Sequence, residues 1–127
     1  MLKISEYDRW KQVVIASFYQ ETLQAVREAE PRAQTYGAES EIRLFYILHL
    51  MYLEKLNPYK LNGFAIPMQS GGINLATPRF VRVAKNAGLF LHYWTINNES
   101  DMRLLMDMGV DGLMTDRPEL LLQIRSN

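Results

Sequence analysis

Five short runs in this chain end in residues equipped for recognition chemistry. Ser17 and Phe18 end the first, Tyr36 lies near the end of the second, and Pro67 with Gln69 follows the third. Trp94 with Asn97 ends the fourth, and Thr115 with Asp116 ends the fifth. An indole such as Trp94 offers an apolar face and one donor, which suits a ligand with one oily and one polar side. Hydrolytic chemistry asks for more: two or three convergent carboxylates for a hard divalent cation, or an acid and base within hydrogen-bond reach. The strand-end carboxylates are Asp116 and, less well placed, Glu39 and Glu41. Asp116 precedes Arg117-Pro118 and reads as a helix N-cap acceptor. Asn97 and Asn98 read as helix-cap residues too. His49 falls in a helix-period segment, and His92, in mid-strand, reads as a packed side chain. Ser17 has no partner base that the sequence identifies. Gln69-Ser70-Gly71-Gly72 is the Gly-rich turn of the chain, a weak phosphate-binding signal.

The elements that must position these residues alternate in period. Val13–Ser17 is a continuous, largely β-branched run, expected of a strand buried on both faces. Glu21–Ala29 places Leu23, Val26 and Ala29 in helical register before Pro31. Arg32–Gly37 is a weaker strand, and Glu41–Leu56 a long oily helix with Leu44, Ile47, Leu48, Met51 and Leu53 on its apolar face. Gly63–Pro67 is the third strand. Thr77-Pro78 gives an N-cap with Pro at the first helical position, and Gly88 a left-handed C-cap. Leu89–Ile96 is the strongest β signal. Asn98–Met108 is a helix whose Met102, Met106 and Met108 read as core filling. Asp111–Thr115 is the fifth strand, and Pro118 opens the last helix.

Composition bounds the function. The chain has 127 residues, 14 basic and 14 acidic side chains, 48% apolar residues and no cysteine. Neutral charge argues against nucleic-acid binding, which draws on clustered Lys and Arg. Zero cysteine removes disulfides, zinc ribbons and thiol catalysis. Met1–Glu6 has no secretory h-region, and Leu44–Leu53 is too short to span a bilayer. The expectation is a soluble, cytoplasmic protein forming one α/β unit over residues 1–127.

Five strands alternating with helices predict a parallel sheet. Two architectures supply one: a doubly wound sheet or part of a (β/α)8 barrel. A phosphoacceptor receiver needs acidic residues at its first strand end and a Lys at its fifth, where this chain has Ser17-Phe18 and Thr115-Asp116. A flavodoxin-like phosphate loop after the first strand is missing as well.

At the fourth and fifth strands the sequence becomes specific. His92-Tyr93-Trp94-Thr95-Ile96-Asn97, followed by Asp101-Met102 and then Gly109-Val110-Asp111-Gly112-Leu113-Met114-Thr115-Asp116-Arg117-Pro118, resembles the end of the glycerophosphodiester phosphodiesterase family. Ile15-Ala16-Ser17-Phe18 is similar to an earlier strand end of that family. The resemblance covers about residues 12–125 and implies a partial TIM (β/α)8 barrel of five parallel strands, strands four to eight. It implies hydrolysis of glycerophosphodiesters to glycerol 3-phosphate and an alcohol, with Ca or Mg in the complete enzyme. It implies substrate contacts at Trp94, Phe18, Ser17 and Tyr36.

The family's His-Arg pair, Glu-x-Asp metal pair, following His-Asp and Glu-x-Lys are absent from this sequence. No catalytic residue, metal ligand or cofactor is therefore assigned to this chain, which is expected to be inactive alone. Five of eight strands would leave two open sheet edges, and Ile15, Ile66, Tyr93 and Leu113 without packing partners, which predicts a homo-oligomer. The competing expectation is a non-catalytic α/β module that acts through self-association or a partner protein.

Overall fold

The computed structural model describes residues 2–127. The chain divides into two compact units, Met1–Gly63 and Phe64–Asn127, taken in turn.

The first unit runs α1 (Leu2–Glu6), a 3-10 turn (Trp10–Gln12), β1 (Val14–Ile15), α2 (Gln20–Ala29), β2 (Gln34–Thr35) and α3 (Glu39–Leu50). A second 3-10 turn follows at Glu54–Leu56. β1 and β2 are parallel, with Val14 opposite Gln34 and Ile15 opposite Thr35. Tyr36 adds a bond from its N–H to the Ile15 carbonyl at 3.0 Å and an isolated parallel bridge to Gly63. Val14 and Ile15 are half-buried and Ala16 is exposed, so β1 is not the doubly buried strand its composition predicts. It is the terminal strand of a pair, and a terminal strand is covered less than a central one.

α3 departs from its predicted face and length. Glu41, Phe45 and His49, at intervals of four, are its buried stripe, while Ile47 and Leu50 are exposed. Its rotation is set by the Glu41 carboxylate, which is buried against Arg27. An ionic pair removed from water must keep its geometry, and apolar periodicity does not report it. The helix stops at Leu50 rather than Leu56. Tyr52 adopts φ 60°, its N–H bonds the His49 carbonyl at 3.3 Å, and the Leu53 N–H bonds the Leu48 carbonyl at 2.8 Å. These two bonds close a left-handed Schellman end, here without the usual glycine.

The second unit continues β3 (Gly63–Ile66), inside which the division falls, with β4 (Gln69–Ser70), β5 (Ile73–Asn74), α4 (Pro78–Asn86) and β6 (Phe90–Tyr93). α5 (Glu99–Asp107), β7 (Gly112–Leu113) and α6 (Pro118–Ser126) complete it. The sheet order is β3-β6-β7, with β6 and β7 parallel in the register His92–Gly112 and Tyr93–Leu113. Thr77 caps α4 by accepting the Phe80 N–H at 3.2 Å, ahead of Pro78. Gly88 and Gly109 take φ of 78° and 77° after their helices, as C-cap glycines do. Phe64, Ile66, Phe80, Leu91, Tyr93, Met102 and Leu105 form the core.

Two expectations are corrected here. Gly71 and Gly72 both have positive φ and form the turn of an antiparallel hairpin, β4–β5, so the Gly-rich segment is a β-turn rather than a phosphate loop. A two-residue turn that matches strand twist needs positive φ at both positions, and adjacent glycines supply it. Ile66 and Tyr93 are not left wet: they are 2% and 0% exposed, while Ile15 and Leu113 are half-buried. Tyr93 is held further by its hydroxyl, which donates to the Leu75 carbonyl at 2.7 Å.

The five predicted runs each contain a strand. They pair as β1-β2 and as β3-β6-β7, with the hairpin apart. The fold is α/β, with parallel strands and intervening helices.

Candidate functional site

In the first unit, Ser17 shapes the turn after β1. Its Oγ accepts the Tyr19 N–H at 3.1 Å, and the next two side chains face solvent, Phe18 at 80% and Tyr19 at 76% exposed. Phe18 is therefore not a core residue, although phenylalanine after a buried strand commonly is. Tyr36 is half-buried, and burial pushes its phenol pKa up.

Sequence reasoning missed what fixes the end of β2. The Arg27 guanidinium donates to both Glu41 carboxylate oxygens at 2.6 and 3.0 Å, to Thr35 Oγ1 at 2.9 Å and to the Tyr36 carbonyl at 3.2 Å. Glu41 Oε2 also accepts the Ala38 N–H at 2.9 Å, the backward half of a capping box. The Glu41 side chain is wholly buried and that of Arg27 is 16% exposed. The signal available was Glu41 three residues after the cap position; its pairing with a residue on another helix was not visible.

In the second unit, Trp94 follows β6, its side chain partly open and its N–H bonded to the Ile66 carbonyl at 3.1 Å. Three residues on, Asn97 joins the ends of β6 and β7. Its Oδ1 accepts the Asp116 N–H at 2.9 Å and the Thr115 hydroxyl at 3.1 Å, and its Nδ2 donates to Asp116 Oδ2 at 3.0 Å. Two readings change. Asn97 is a strand-end clamp rather than a helix cap, a role that belongs to Asn98, whose Oδ1 accepts the Ser100 N–H at 2.8 Å. Asp116 is not the N-cap of α6: that position is Arg117, and the Thr115 hydroxyl accepts its N–H at 2.9 Å. Bulky His92 lies against Gly112, as a packed side chain would.

The three strand-end carboxylates each have their own partner. Glu39 pairs with Arg43 at 2.7 Å, Glu41 with Arg27, and Asp116 with the Asn97 amide. Among the described residues no three His, Cys, Asp or Glu side chains converge. This donor set does not fit a hard divalent cation, which needs several oxygens at one point.

Parallel strands carry an indole, a carboxamide, a hydroxyl and a carboxylate at their carboxyl ends, the place where α/β proteins take ligands. The class is an α/β protein with parallel strands and intervening helices. Over residues 1–120 the chain matches the Glycerophosphoryl diester phosphodiesterase family, and it belongs to that family. It is 28% identical over 122 residues to a glycerophosphodiester phosphodiesterase of Bacillus subtilis (strain 168), covering 96% of this chain and 39% of that protein. A glycerophosphodiester phosphodiesterase of Caldanaerobacter subterraneus subsp. tengcongensis is 28% identical over 121 residues, covering 95% and 45%. The fold is similar to part of a crystal structure of a glycerophosphoryl diester phosphodiesterase candidate from Silicibacter pomeroyi DSS-3. That similarity has a TM-score of 0.66 at 22% identity and covers 96% of this chain and 42% of that one. The chain thus spans about two fifths of the length of the relatives it matches. Among the described residues no helix is long and apolar enough to cross a membrane.

Proposed function

We propose that this chain forms the substrate-side wall of a cytoplasmic glycerophosphodiester phosphodiesterase, supplying strands four to eight of its (β/α)8 barrel as one α/β unit. The reaction would release glycerol 3-phosphate and an alcohol. Trp94 would hold the apolar side of the substrate, with Phe18, Ser17 and Tyr36 as further wall residues. The observation that carries this reading is the Asn97 clamp, which fixes the ends of β6 and β7 beside Trp94.

Phosphodiester hydrolysis needs charge stabilisation at phosphorus and a proton for the leaving alkoxide. The Ca or Mg expected of the complete enzyme finds no ligand set among the described residues, and no step is assigned to it. This chain alone should bind without turning over. Titrating it with glycerol 3-phosphate should change the emission of Trp94, with Trp10, which is buried, as an unresponsive reference. Trp94→Phe should abolish the response. Steady hydrolysis of bis(p-nitrophenyl) phosphate by the purified chain with Ca²⁺ or Mg²⁺, lost in Trp94→Ala or Asp116→Ala, would refute the non-catalytic assignment.

A second reading, a module that self-associates, is favoured by one observation. Leu50, Met51, Tyr52 and Leu56, at and after the end of α3, are 56%, 61%, 75% and 66% exposed, and β1 is a terminal strand. Contiguous apolar exposure of this kind marks interaction surfaces, and open edges invite pairing. Light scattering at micromolar concentration should give a dimer or larger species; a sharp monomer with cooperative melting would exclude it.

A further inference from the structure

The first unit carries an apolar tip where α3 ends, with Ile47, Leu50, Met51, Tyr52, Leu53 and Leu56 all solvent-exposed. We propose that this tip docks on an anionic lipid surface, its apolar side chains entering the interface and Lys55 and Lys60 meeting the lipid phosphates.

Shape is the first argument. Ile47, Leu50 and Met51 stand three and four residues apart and share one face of the end of α3. Leu50, Met51, Tyr52 and Leu53 are also consecutive, and successive positions on a helix lie about 100° apart. Four exposed neighbours therefore point in several directions round the helix end, which the left-handed Tyr52, φ 60°, makes abrupt. A flat protein face would cover one side of such a tip. A fluid interface closes round it, and apolar side chains with a tyrosine suit the headgroup boundary.

Charge is the second. Between residues 47 and 60 the exposed charged side chains are Lys55 and Lys60, and neither has an ion pair among the described residues. The acid of that segment, Glu54, has a side chain only 17% exposed, with its carboxylate 3.7 Å from Nδ1 of buried His49. Arg43, one turn before Ile47, is neutralised by Glu39 at 2.7 Å. The tip thus presents two uncompensated cations among apolar side chains. Lysines so placed are drawn to anionic headgroups while their stems lie along apolar surface.

Other occupants fit less well. A two-fold pair of these chains would set the cationic patch against itself. A further barrel strand would add at the open side of β1, whereas β2, from which α3 departs, is flanked by β1 and by the Tyr36–Gly63 bridge. The proposal needs neither Trp94 nor turnover, so it stands or falls separately from the glycerol 3-phosphate titration.

Co-sedimentation of the 127-residue chain with vesicles tests it, using phosphatidylcholine alone or with about one-third phosphatidylglycerol to supply a negative surface. The chain should pellet several-fold more with the anionic vesicles, and added salt should reduce that binding. Lys55→Gln/Lys60→Gln should weaken partitioning by about 10- to 30-fold, and Met51→Gln/Leu56→Gln by about 10-fold. All four positions are exposed, so both variants should melt with the parent. Because the chain has no cysteine, Met51→Cys or Ala25→Cys takes a single environment-sensitive label, and only the label at position 51 should shift to the blue on anionic vesicles. Failure to pellet with anionic vesicles would overturn the proposal, as would equal binding to neutral ones, unchanged binding in both folded double variants, or equal label shifts at 51 and 25. A dimer in lipid-free buffer that Met51→Gln/Leu56→Gln dissociates would give the tip to a second copy and overturn it too.

Discussion

Asn97 and Asp116 hold each other by two hydrogen bonds: the Asn97 carboxamide oxygen accepts the Asp116 N–H at 2.9 Å, and its nitrogen donates to the Asp116 carboxylate at 3.0 Å. The pair closes the carboxyl ends of β6 and β7 with one side chain. Because both residues are solvent-exposed, each bond contributes less than a buried one. Asn97→Ala should destabilise the chain by about 1–2 kcal/mol in urea unfolding. A change below about 0.3 kcal/mol, the size of an ordinary surface substitution, would show that the clamp contributes nothing to stability.

Gly112 is glycine because His92 occupies its side-chain space. A Cβ at Gly112 would lie 2.8 Å from His92 Cδ2 and 3.2 Å from Nε2, across the parallel pairing of β7 and β6. Gly112→Ala should cost about 1–3 kcal/mol, the usual range for overpacking. The same change made in a His92→Ala background should cost clearly less. Equal costs in the two backgrounds would place the strain elsewhere.

Removing one member of the Arg27–Glu41 pair leaves the other as an uncompensated charge, with Glu41 wholly buried. Arg27→Met should therefore cost about 3–5 kcal/mol, enough to bring a domain of ordinary stability near unfolding at room temperature. The double variant Arg27→Met/Glu41→Leu should recover more than half of that loss. A double variant as unstable as the single one would mean that the pair itself, not the orphaned carboxylate, carries the stability.

Burial raises the Tyr93 phenol pKa well above the ordinary tyrosine range. The folded chain thus holds that proton more tightly than the unfolded chain does. The stabilisation is full below about pH 10, where an exposed tyrosine ionises, and is lost as pH rises toward the folded value. Tyr93→Phe leaves the Leu75 carbonyl without its donor and should cost about 1–3 kcal/mol at pH 7. It should also flatten the alkaline decline in stability measured from pH 8 to 11. A variant declining as steeply as the parent would assign that slope to other groups.

By itself the sequence determined the five strand-bearing runs, the helices that follow them and the family. The β-branched runs, Thr77-Pro78, and the glycines at 88 and 109 are local signals, and local backbone chemistry fixes where helices start and stop. The Trp94–Asn97 and Gly109–Pro118 segments were legible because their residues are close in the chain. Tertiary structure decided which face of α3 is buried, what Asn97 does, and why position 112 is glycine. Each of these depends on partners far apart in sequence: Arg27 for Glu41, Asp116 for Asn97, and His92 for Gly112. Hydrophobic periodicity reports how a helix or strand divides oil from water. It does not report a buried charge that finds its counter-ion on another helix, and in α3 the pairing of Glu41 with Arg27 turned Ile47 and Leu50 out to solvent.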